Sequence, residues 1–297
     1  FTGSFHGRTG QTMALTTSKT GYKGAAQLLP SGVYVTPYPY AYKLGMAEEQ
    51  AAHYALEALD ELLVSQIAPH DVAAILIEPV LGEGGYVPPP ASFMKGLRER
   101  CDRHGILLIF DEVQSGFGRT GKWFALEHYG VIPDIMTVAK GIASGLPLSG
   151  VFSRLELMKK WPTGSHGGTY GGNAVAMAAG VATIRAMKEE KMLENALARG
   201  LQLQTGLRKL QEEYPQIGDV RGLGLMIGTE FEVEGDYKKA KNLVKDVIHA
   251  AEEQGLLLLS CGTFDSTVRW IPPLNVTDAQ VKDALDIFAA SLKQVLK

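Results

Sequence analysis

Three short apolar runs in the first half of the chain constrain its fold more than any other feature. They are Val72–Ile77, Ile106–Phe110 and Ile135–Val138, and a segment with the spacing of an amphipathic helix, Phe93–His104, separates the first two. Strands that are buried on both faces of a parallel sheet have such nearly continuous apolar runs. The alternation of strand and helix therefore predicts an α/β fold, with a mainly parallel sheet and flanking crossover helices.

The last third of the chain predicts a second, smaller domain of the α+β class. A long helical repeat is followed by strand signals that alternate with further helical segments. These segments are 174–213, Val220–Glu230, 238–253, Leu256–Leu259, Val268–Ile271 and 277–296. We place the boundary near residue 185, which predicts a large domain over residues 1–185 and a small C-terminal domain over residues 186–297.

The beginning of the chain has the features of the middle of a longer protein. The chain opens with Phe1 instead of a methionine, and residues 1–45, rich in Gly, Tyr and Pro, predict strands and loops. A helix is predicted next, over residues 47–66. We therefore expect the large domain to be truncated at its N-terminus.

Composition and charge are those of an ordinary globular protein. Hydrophobic residues make up 45% of the 297 residues, and the net charge of -3 predicts no basic surface for nucleic acid. No apolar run approaches the roughly 20 residues of a membrane helix, and we identify no signal peptide at the start. We expect no membrane association and a cytoplasmic location, with Cys101 and Cys261 as reduced thiols. None of the seven histidines forms a convincing metal pair.

Four polar or glycine-rich segments follow predicted strands or lie in loops. They are Ile77–Gly85, Asp111–Gly121, Ala139–Gly141 and Gly167–Asn173. Ligand sites in open α/β sheets form at the carboxyl ends of the strands. These segments are therefore the candidates for a binding or catalytic site.

Asp111 and Lys140 are the two side chains in these segments with the clearest chemical meaning. Each follows an apolar strand. A carboxylate at that position needs a partner, which a helix N-terminus, a salt bridge or a protonated ring nitrogen would supply. A desolvated lysine would have a lowered pKa that suits Schiff-base formation, whereas a solvated lysine at a strand end would have no such role.

Taken together, the four segments resemble those of class III aminotransferases, which are fold type I enzymes that use pyridoxal 5'-phosphate (PLP). The resemblance runs from Phe5-His6-Gly7-Arg8-Thr9 to Arg269, and its most specific part is Asp-Glu-Val-Gln-Ser-Gly-Phe-Gly-Arg-Thr-Gly, which begins at Asp111. It is closest to bacterial 4-aminobutyrate aminotransferases. The resemblance implies the PLP-transferase fold of type I, with an incomplete large domain and a small α+β domain.

The resemblance implies catalytic roles for Lys140 and Asp111. Lys140 would bind PLP as a Schiff base and, once substrate has displaced it, move a proton between the substrate carbon and the cofactor. Asp111 would pair with the pyridinium nitrogen, which keeps the ring protonated and able to accept electrons.

Further cofactor contacts are implied at five positions. Val113 and Phe5 would cover the two ring faces, Gln114 would lie near the ring O3′, and His6 would border the cofactor. Thr169 would donate its hydroxyl to the phosphate of a neighbouring subunit's cofactor. This last contact implies a homodimer or a dimer of dimers.

Two arginines are the candidates for substrate carboxylates, because a guanidinium fork matches a carboxylate in a bidentate way. They are Arg8 and Arg269. By resemblance, Glu83 pairs with Arg269 when an ω-amino acid is bound and leaves it when a second carboxylate needs the arginine. Glu78 is implied to lie near Arg8 and to position it.

These features predict transfer of an amino group from an ω-amino acid such as 4-aminobutyrate to 2-oxoglutarate. An acetylornithine or ornithine aminotransferase is the runner-up, and an aminomutase or decarboxylase is disfavoured because both arginines and Glu83 are present. A non-catalytic fragment also stays open. The helix N-terminus that binds the PLP phosphate in the family lies upstream of the position of Phe5, outside this sequence.

Overall fold

Two four-stranded sheets organise the residues that the computed structural model describes, which are 1–24 and 28–296. The strands are β1 (Ala74–Ile77), β2 (Leu107–Asp111), β3 (Ile135–Val138), β4 (Gly150–Ser153), β5 (Ile217–Leu223), β6 (Met226–Phe231), β7 (Leu259–Cys261) and β8 (Thr267–Trp270). The helices are α1 (Gly10–Leu15), α2 (Ala41–Leu44), α3 (Glu48–Ser65), α4 (Ala91–His104), α5 (Leu126–Tyr129), α6 (Leu155–Met158), α7 (Ala174–Glu189), α8 (Met192–Glu213), α9 (Tyr237–Glu253) and α10 (Asp278–Val295). Short 3-10 helices lie at Thr20–Tyr22, Pro69–Asp71 and Lys140–Ala143.

The first sheet contains the three strands that the apolar runs predict. Its order is β1-β2-β3-β4, and β1, β2 and β3 are parallel, so their carboxyl ends share one edge. The fourth strand, β4, pairs antiparallel with β3 and was not predicted, because its residues are partly exposed and do not form a buried apolar run. The expected α/β class with a mainly parallel sheet is confirmed.

A helix packed on this sheet forms its main core. In α4, Phe93, Leu97 and Cys101 recur every four residues, so they share one face and are fully buried. They belong to the same apolar core as Leu108 and Phe110 of β2. The sequence period therefore decides which face of α4 meets the sheet.

The second sheet, of order β5-β6-β8-β7, is antiparallel throughout. Helices α8, α9 and α10 pack against it or against one another. Its core includes Leu207 of α8, Val244 of α9, Phe288 of α10 and Ile227 of β6, all fully buried. The arrangement matches the expected α+β C-terminal part. The boundary near residue 185 stays a prediction, and that residue lies inside α7.

The structure corrects several predicted elements. The helical segment 174–213 is two helices, since Lys191 adopts a left-handed φ of 51° between α7 and α8. The strand signal Val220–Glu230 is a hairpin of β5 and β6 that turns at Gly224. The signal at Leu256–Leu259 is displaced, because β7 begins only at Leu259.

The strands expected in residues 1–45 are also corrected. Within 1–24 and 28–45, the described backbone forms loops, a 3-10 turn and the short helices α1 and α2. Its Gly and Pro content indicates turns. A strand also needs a neighbouring strand to share backbone hydrogen bonds with, and Gly and Pro do not favour that pairing. The described part of this segment packs on the core of the first sheet through Phe1, Tyr38 and Tyr40 and adds no strand to it.

Both cysteines are buried and unpaired, in different cores. Burial raises the pKa of each thiol to about 12. Both therefore pack as small apolar groups with little thiolate character. No helix in the described part of the chain has the length and apolar character to cross a bilayer.

A buried carboxylate joins the first residues of the chain to the large sheet. Glu78 directly follows β1, and its Oε1 and Oε2 accept hydrogen bonds from the backbone N–H groups of Phe5 (2.8 Å) and Gly82 (2.9 Å). Burial raises its pKa from 4.5 to about 7, although His6 and both hydrogen bonds lower it; nearby Asp111 raises it further. Glu78 therefore fixes the N-terminal loop where it borders the strand ends.

A close crossing fixes α8 on the β5–β6 hairpin. Gly200 of α8 faces Gly224, and a Cβ at position 200 would lie 2.1 Å from the Gly224 carbonyl oxygen. Backbone cannot move aside as a side chain can, so only glycine permits this approach. The crossing sets how closely the helix approaches the second sheet.

We expect Glu78→Gln to remove a pH dependence from folding. Between pH 4.5 and about 7 the unfolded chain releases a proton that folded Glu78 keeps, so the free energy of unfolding of the parent falls as pH rises through this window. Between pH 4.5 and about 7, the free energy of unfolding of the parent should fall by roughly 3 kcal/mol relative to that of Glu78→Gln. Denaturant unfolding at several pH values measures this difference, with exposed Glu99→Gln of α4 as the control. A parent-to-variant difference that is flat with pH would contradict the assignment.

We expect Gly200→Ala to destabilise the protein by roughly 1–3 kcal/mol, although alanine is the better helix former. Gly206→Ala in the same helix is the matched control, because its added Cβ would meet the terminal carbons of the Leu285 side chain, which can shift. Thermal and urea unfolding of both variants provide the comparison. Equal losses would show that the contact with Gly224 is not what restricts position 200.

Candidate active site

Functional side chains meet at the shared carboxyl edge of the first sheet. Asp111 is the last residue of β2 and pairs in register with Thr137 of β3, three residues before Lys140. Glu78 follows β1, the neighbouring strand on the other side. The parallel arrangement alone therefore brings together three residues that are far apart in sequence.

The Asp111 carboxylate is held by three donors. Its Oδ2 accepts from His6 Nδ1 at 2.8 Å, and its Oδ1 accepts from the backbone N–H of Val113 at 3.1 Å and from the Thr137 hydroxyl at 3.4 Å. Because a carboxylate only accepts, the His6 ring carries its proton on Nδ1. The His6 side chain is 3% exposed and the Asp111 side chain is 11% exposed. This arrangement keeps an oriented negative charge at the strand edge.

Lys140 lies on the same edge, in a strained backbone conformation. Its φ is 49°, a left-handed value uncommon for a residue with a side chain, and it begins the 3-10 helix Lys140–Ala143. With Val113 and Gln114 it lines a cavity of about 550 Å³. Of the two alternatives that the sequence left open, a desolvated or a solvated lysine, the described chain shows the solvated one. The Lys140 side chain is exposed, and it also lines a second, open cavity together with Ala139, Gly141 and residues 144–149.

The residues along this edge of the first sheet fit PLP. Gln114 Oε1 is buried and has no hydrogen-bond partner among the described residues, which leaves an acceptor for a ring hydroxyl. A Cβ at Gly82 would lie 2.9 Å from both Gln114 Nε2 and Glu78 Oε2, so the chain passes closely behind them. Asp111 supplies the carboxylate and Lys140 the amine that this cofactor requires.

A second group of charges spans the two sheets. Arg269 of β8 donates from Nη1 to Glu83 Oε1 at 2.6 Å, and Glu83 Oε2 accepts from the Tyr22 hydroxyl at 2.8 Å. Both charged side chains are less than one fifth exposed. Arg269 Nε is also buried without a partner in the described chain. The predicted contact of Glu83 with Arg269 is present, and the guanidinium keeps an unused donor.

Arg8 lies on the other side of Tyr22. Its guanidinium carbon is 5.0 Å from the Tyr22 ring centroid, and the Phe5 ring meets the same ring edge-on at 5.0 Å. The implied support of Arg8 by Glu78 is not what the structure shows. The hydrogen bonds of Glu78 come from Phe5 and Gly82, since the chain turns away after Phe5 and leaves Arg8 exposed.

Thr169 lies apart from this cluster. It is exposed in the turn that precedes α7, and the residues that line the cavity beside Lys140 do not include it. Within one chain it therefore contacts neither Asp111 nor Lys140. Its implied role toward a neighbouring subunit stays a prediction.

Sequence reasoning missed three residues that shape the site. Thr137 contacts Asp111 only through strand register, and Tyr22 reaches Glu83 only through tertiary folding. Glu112, beside Asp111 in the motif, is fully buried and accepts from Ser115 Oγ and from the N–H groups of Ala125 and Leu126. An acidic pair directly after an apolar strand was the available signal for Glu112, which closes the loop that follows β2.

Comparison with known proteins places this site in a family. The family model described as "Aminotransferase class-III" matches residues 1–292. The 5-aminovalerate aminotransferase of Pseudomonas aeruginosa and the 4-aminobutyrate aminotransferase of Escherichia coli are each 43% identical over 290 residues, which cover 97% of this chain and 67% of theirs.

Solved structures agree with the sequence matches. A thermostable (S)-enantioselective omega-transaminase from Thermomicrobium roseum superposes with a TM-score of 0.90 and 33% identity, over 100% of this chain and 67% of that one. The chain thus spans about two thirds of the length of these relatives. The motifs, the strand-edge site and the matches along the whole chain agree, and the chain belongs to the class III aminotransferase family.

Proposed function

We propose that this protein transfers the amino group of an ω-amino acid, such as 4-aminobutyrate or 5-aminovalerate, to 2-oxoglutarate. The observation that carries the proposal is the contact between Glu83 and Arg269 beside the candidate PLP site. Such a pair suits an enzyme whose two substrates differ by one carboxylate. The names of the relatives at 43% identity, which are 5-aminovalerate and 4-aminobutyrate aminotransferases, support the same substrate class.

As a class III aminotransferase the protein uses PLP, and we propose that Lys140 anchors it and that Asp111 faces its ring nitrogen. When bound, PLP supplies an electron sink that stabilises negative charge on the substrate carbon. Asp111 favours a protonated ring nitrogen, and His6 and Thr137 hold the carboxylate in place. His6 is therefore a positioning residue in this proposal. Val113 and Phe5 would border the two ring faces, and Gln114 would accept from the ring hydroxyl.

Lys140 is the proposed general acid and base. Its Nζ would take the proton from the substrate carbon that bears the amino group and return it at the adjoining cofactor carbon. Lys140 would do this from the first residue of the 3-10 helix Lys140–Ala143, which follows the carboxyl end of β3. Lys140 has a left-handed φ and lines the same cavity as Val113 and Gln114.

The two arginines divide the carboxylates between them. Arg8 would hold the carboxylate of an ω-amino acid, while Glu83 neutralises Arg269. For glutamate or 2-oxoglutarate, Glu83 would leave and the second carboxylate would take its place. An unpaired buried arginine costs several kcal/mol, so the exchange lets one site accept substrates with one or two carboxylates.

We propose a homodimer in a cytoplasmic setting. Exposed apolar side chains are concentrated in and around β4 and α6, where Phe152, Leu155 and Trp161 are each about half exposed. Thr169 is exposed in the turn between this segment and α7, and we propose that it reaches a second subunit's cofactor. The two buried, unpaired thiols are those expected of a reducing compartment.

We expect Lys140→Ala to abolish turnover, with a loss of roughly 10³-fold or more, because the proposed proton carrier is removed. Transamination of 4-aminobutyrate with 2-oxoglutarate measures this loss, and exposed Lys95→Ala is the control. Borohydride reduction of the PLP-loaded parent, followed by peptide mass spectrometry, should place the cofactor on Lys140. Turnover retained by Lys140→Ala, or a label on another lysine, would reject the assignment.

A panel of amino donors tests the substrate class with the same parent protein. Acetylornithine or ornithine as the best donor would replace the proposed substrates with those of the runner-up. Absence of turnover with every donor would favour the non-catalytic alternative.

We expect Arg269→Ala to raise the KM for 2-oxoglutarate and glutamate by roughly 30-fold or more, because a guanidinium partner is lost and the Glu83 charge is left in the site. The KM for 4-aminobutyrate, held by Arg8, should change far less. Steady-state kinetics of both half-reactions, with exposed Arg208→Ala as the control, measure the contrast. Equal losses for both substrates would rule out the exchange.

A further inference from the structure

Tyr22 contacts two of the three charged side chains of the proposed carboxylate site, Arg8 and Glu83, and Glu83 in turn contacts Arg269. It ends the 3-10 helix Thr20–Tyr22, and its hydroxyl donates to Glu83 Oε2 at 2.8 Å. The other oxygen of the same carboxylate accepts from Arg269 at 2.6 Å. The Glu83 carboxylate is therefore shared between one cation and one neutral donor.

The ring of Tyr22 faces the other arginine. Arg8 lies 5.0 Å from the ring centroid, within the range of a cation–π contact, and Phe5 packs against the ring edge. One side chain thus touches Arg8 through its ring and the Glu83–Arg269 pair through its hydroxyl. A displacement of Tyr22 would therefore change the contact with Arg8 and, through Glu83, the environment of Arg269.

The hydroxyl is available as a donor across the physiological pH range. Burial and the Glu83 carboxylate raise the pKa of Tyr22 to about 12, while the two arginines lower it to a smaller extent. Its neighbours are also anchored. Lys19 forms an ion pair with Asp265, and the Gly262 N–H donates to the Glu83 carbonyl at 2.9 Å. Tyr22 and Glu83 therefore meet at a fixed place.

We propose that Tyr22 is a specificity-determining residue, whose hydroxyl holds Glu83 against Arg269 and so favours ligands with a single carboxylate. This proposal rests on the proposed function. It states that Tyr22 sets the equilibrium between Arg269 paired with Glu83 and Arg269 free to bind a second substrate carboxylate. Without the hydroxyl, Glu83 keeps only one donor and leaves the arginine more readily. The ring would separately support Arg8 as the holder of the carboxylate that all substrates share.

Tyr22→Phe removes the hydroxyl and keeps the ring contacts with Phe5 and Arg8. Calorimetric binding of glutarate and of valerate to the PLP-loaded protein compares five-carbon acids with two carboxylates and with one. We expect the preference for glutarate over valerate to rise roughly tenfold in Tyr22→Phe, the size of a hydrogen bond to a charged group. Tyr42→Phe is the matched control, because Tyr42 donates to Glu232 at 2.7 Å, outside the site.

The combination with Glu83→Gln distinguishes a specificity role from a structural one. With no charge at position 83, Arg269 is already released, so adding Tyr22→Phe should leave the binding preference unchanged. In turnover, Tyr22→Phe should lower the KM for 2-oxoglutarate and leave kcat near the parent value.

Two results would overturn the role of Tyr22: a glutarate-to-valerate ratio that stays constant in Tyr22→Phe, or a shift of equal size when Glu83 is already glutamine. In either case an active parent leaves the proposed function intact. A parent that neither binds these acids nor transaminates would reject both proposals, and the two failures are therefore distinguishable.

Discussion

Buried charge between the two sheets is the interaction on which the site depends. The loop after β1 carries Glu83, which pairs with Arg269 of β8. The Gly85 carbonyl of the same loop accepts from Arg221 of β5 at 2.6 Å, and Arg221 also pairs with Glu230 of β6. Removing one partner of such a pair leaves an uncompensated buried charge. These contacts therefore tie the loop to the second sheet and place Arg269, the proposed partner of a substrate carboxylate, beside the first.

The two carboxylates of the candidate site, Asp111 and Glu83, are paired in different ways, and the difference matches their proposed roles toward cofactor and substrate. Asp111 is oriented by His6, Val113 and Thr137, so its carboxylate is held at the strand edge and is not free to rotate. Glu83 shares its charge between Arg269 and a neutral hydroxyl, and in the proposed function a substrate carboxylate takes its place on the arginine. A fixed pair suits the cofactor, whereas an exchangeable pair suits substrates that differ in charge.

Periodicity and motif spacing predicted most of the first sheet, because a buried parallel strand needs an unbroken apolar run. The same patterns did not predict features that depend on contacts between distant parts of the chain or on single turn residues. The helical repeat of 174–213 continues through a break at Lys191, and the hairpin turn at Gly224 lies inside what resembles one strand. Lys140 follows a buried strand yet is exposed, since exposure depends on what packs beside it and not on its neighbours in sequence.

The sequence by itself determined the α/β class through its short-range apolar runs, and its motifs, through their resemblance to class III aminotransferases, indicated the family and predicted the aspartate, lysine and arginines of the candidate site. Only the tertiary structure decided that Asp111 faces Thr137 and His6, that Glu78 holds Phe5 instead of Arg8, and that Tyr22 joins Glu83. Tyr22 and Glu83 are separated by 61 positions, and no local period links them. Their contact exists only after both sheets have formed and brought the two loops together.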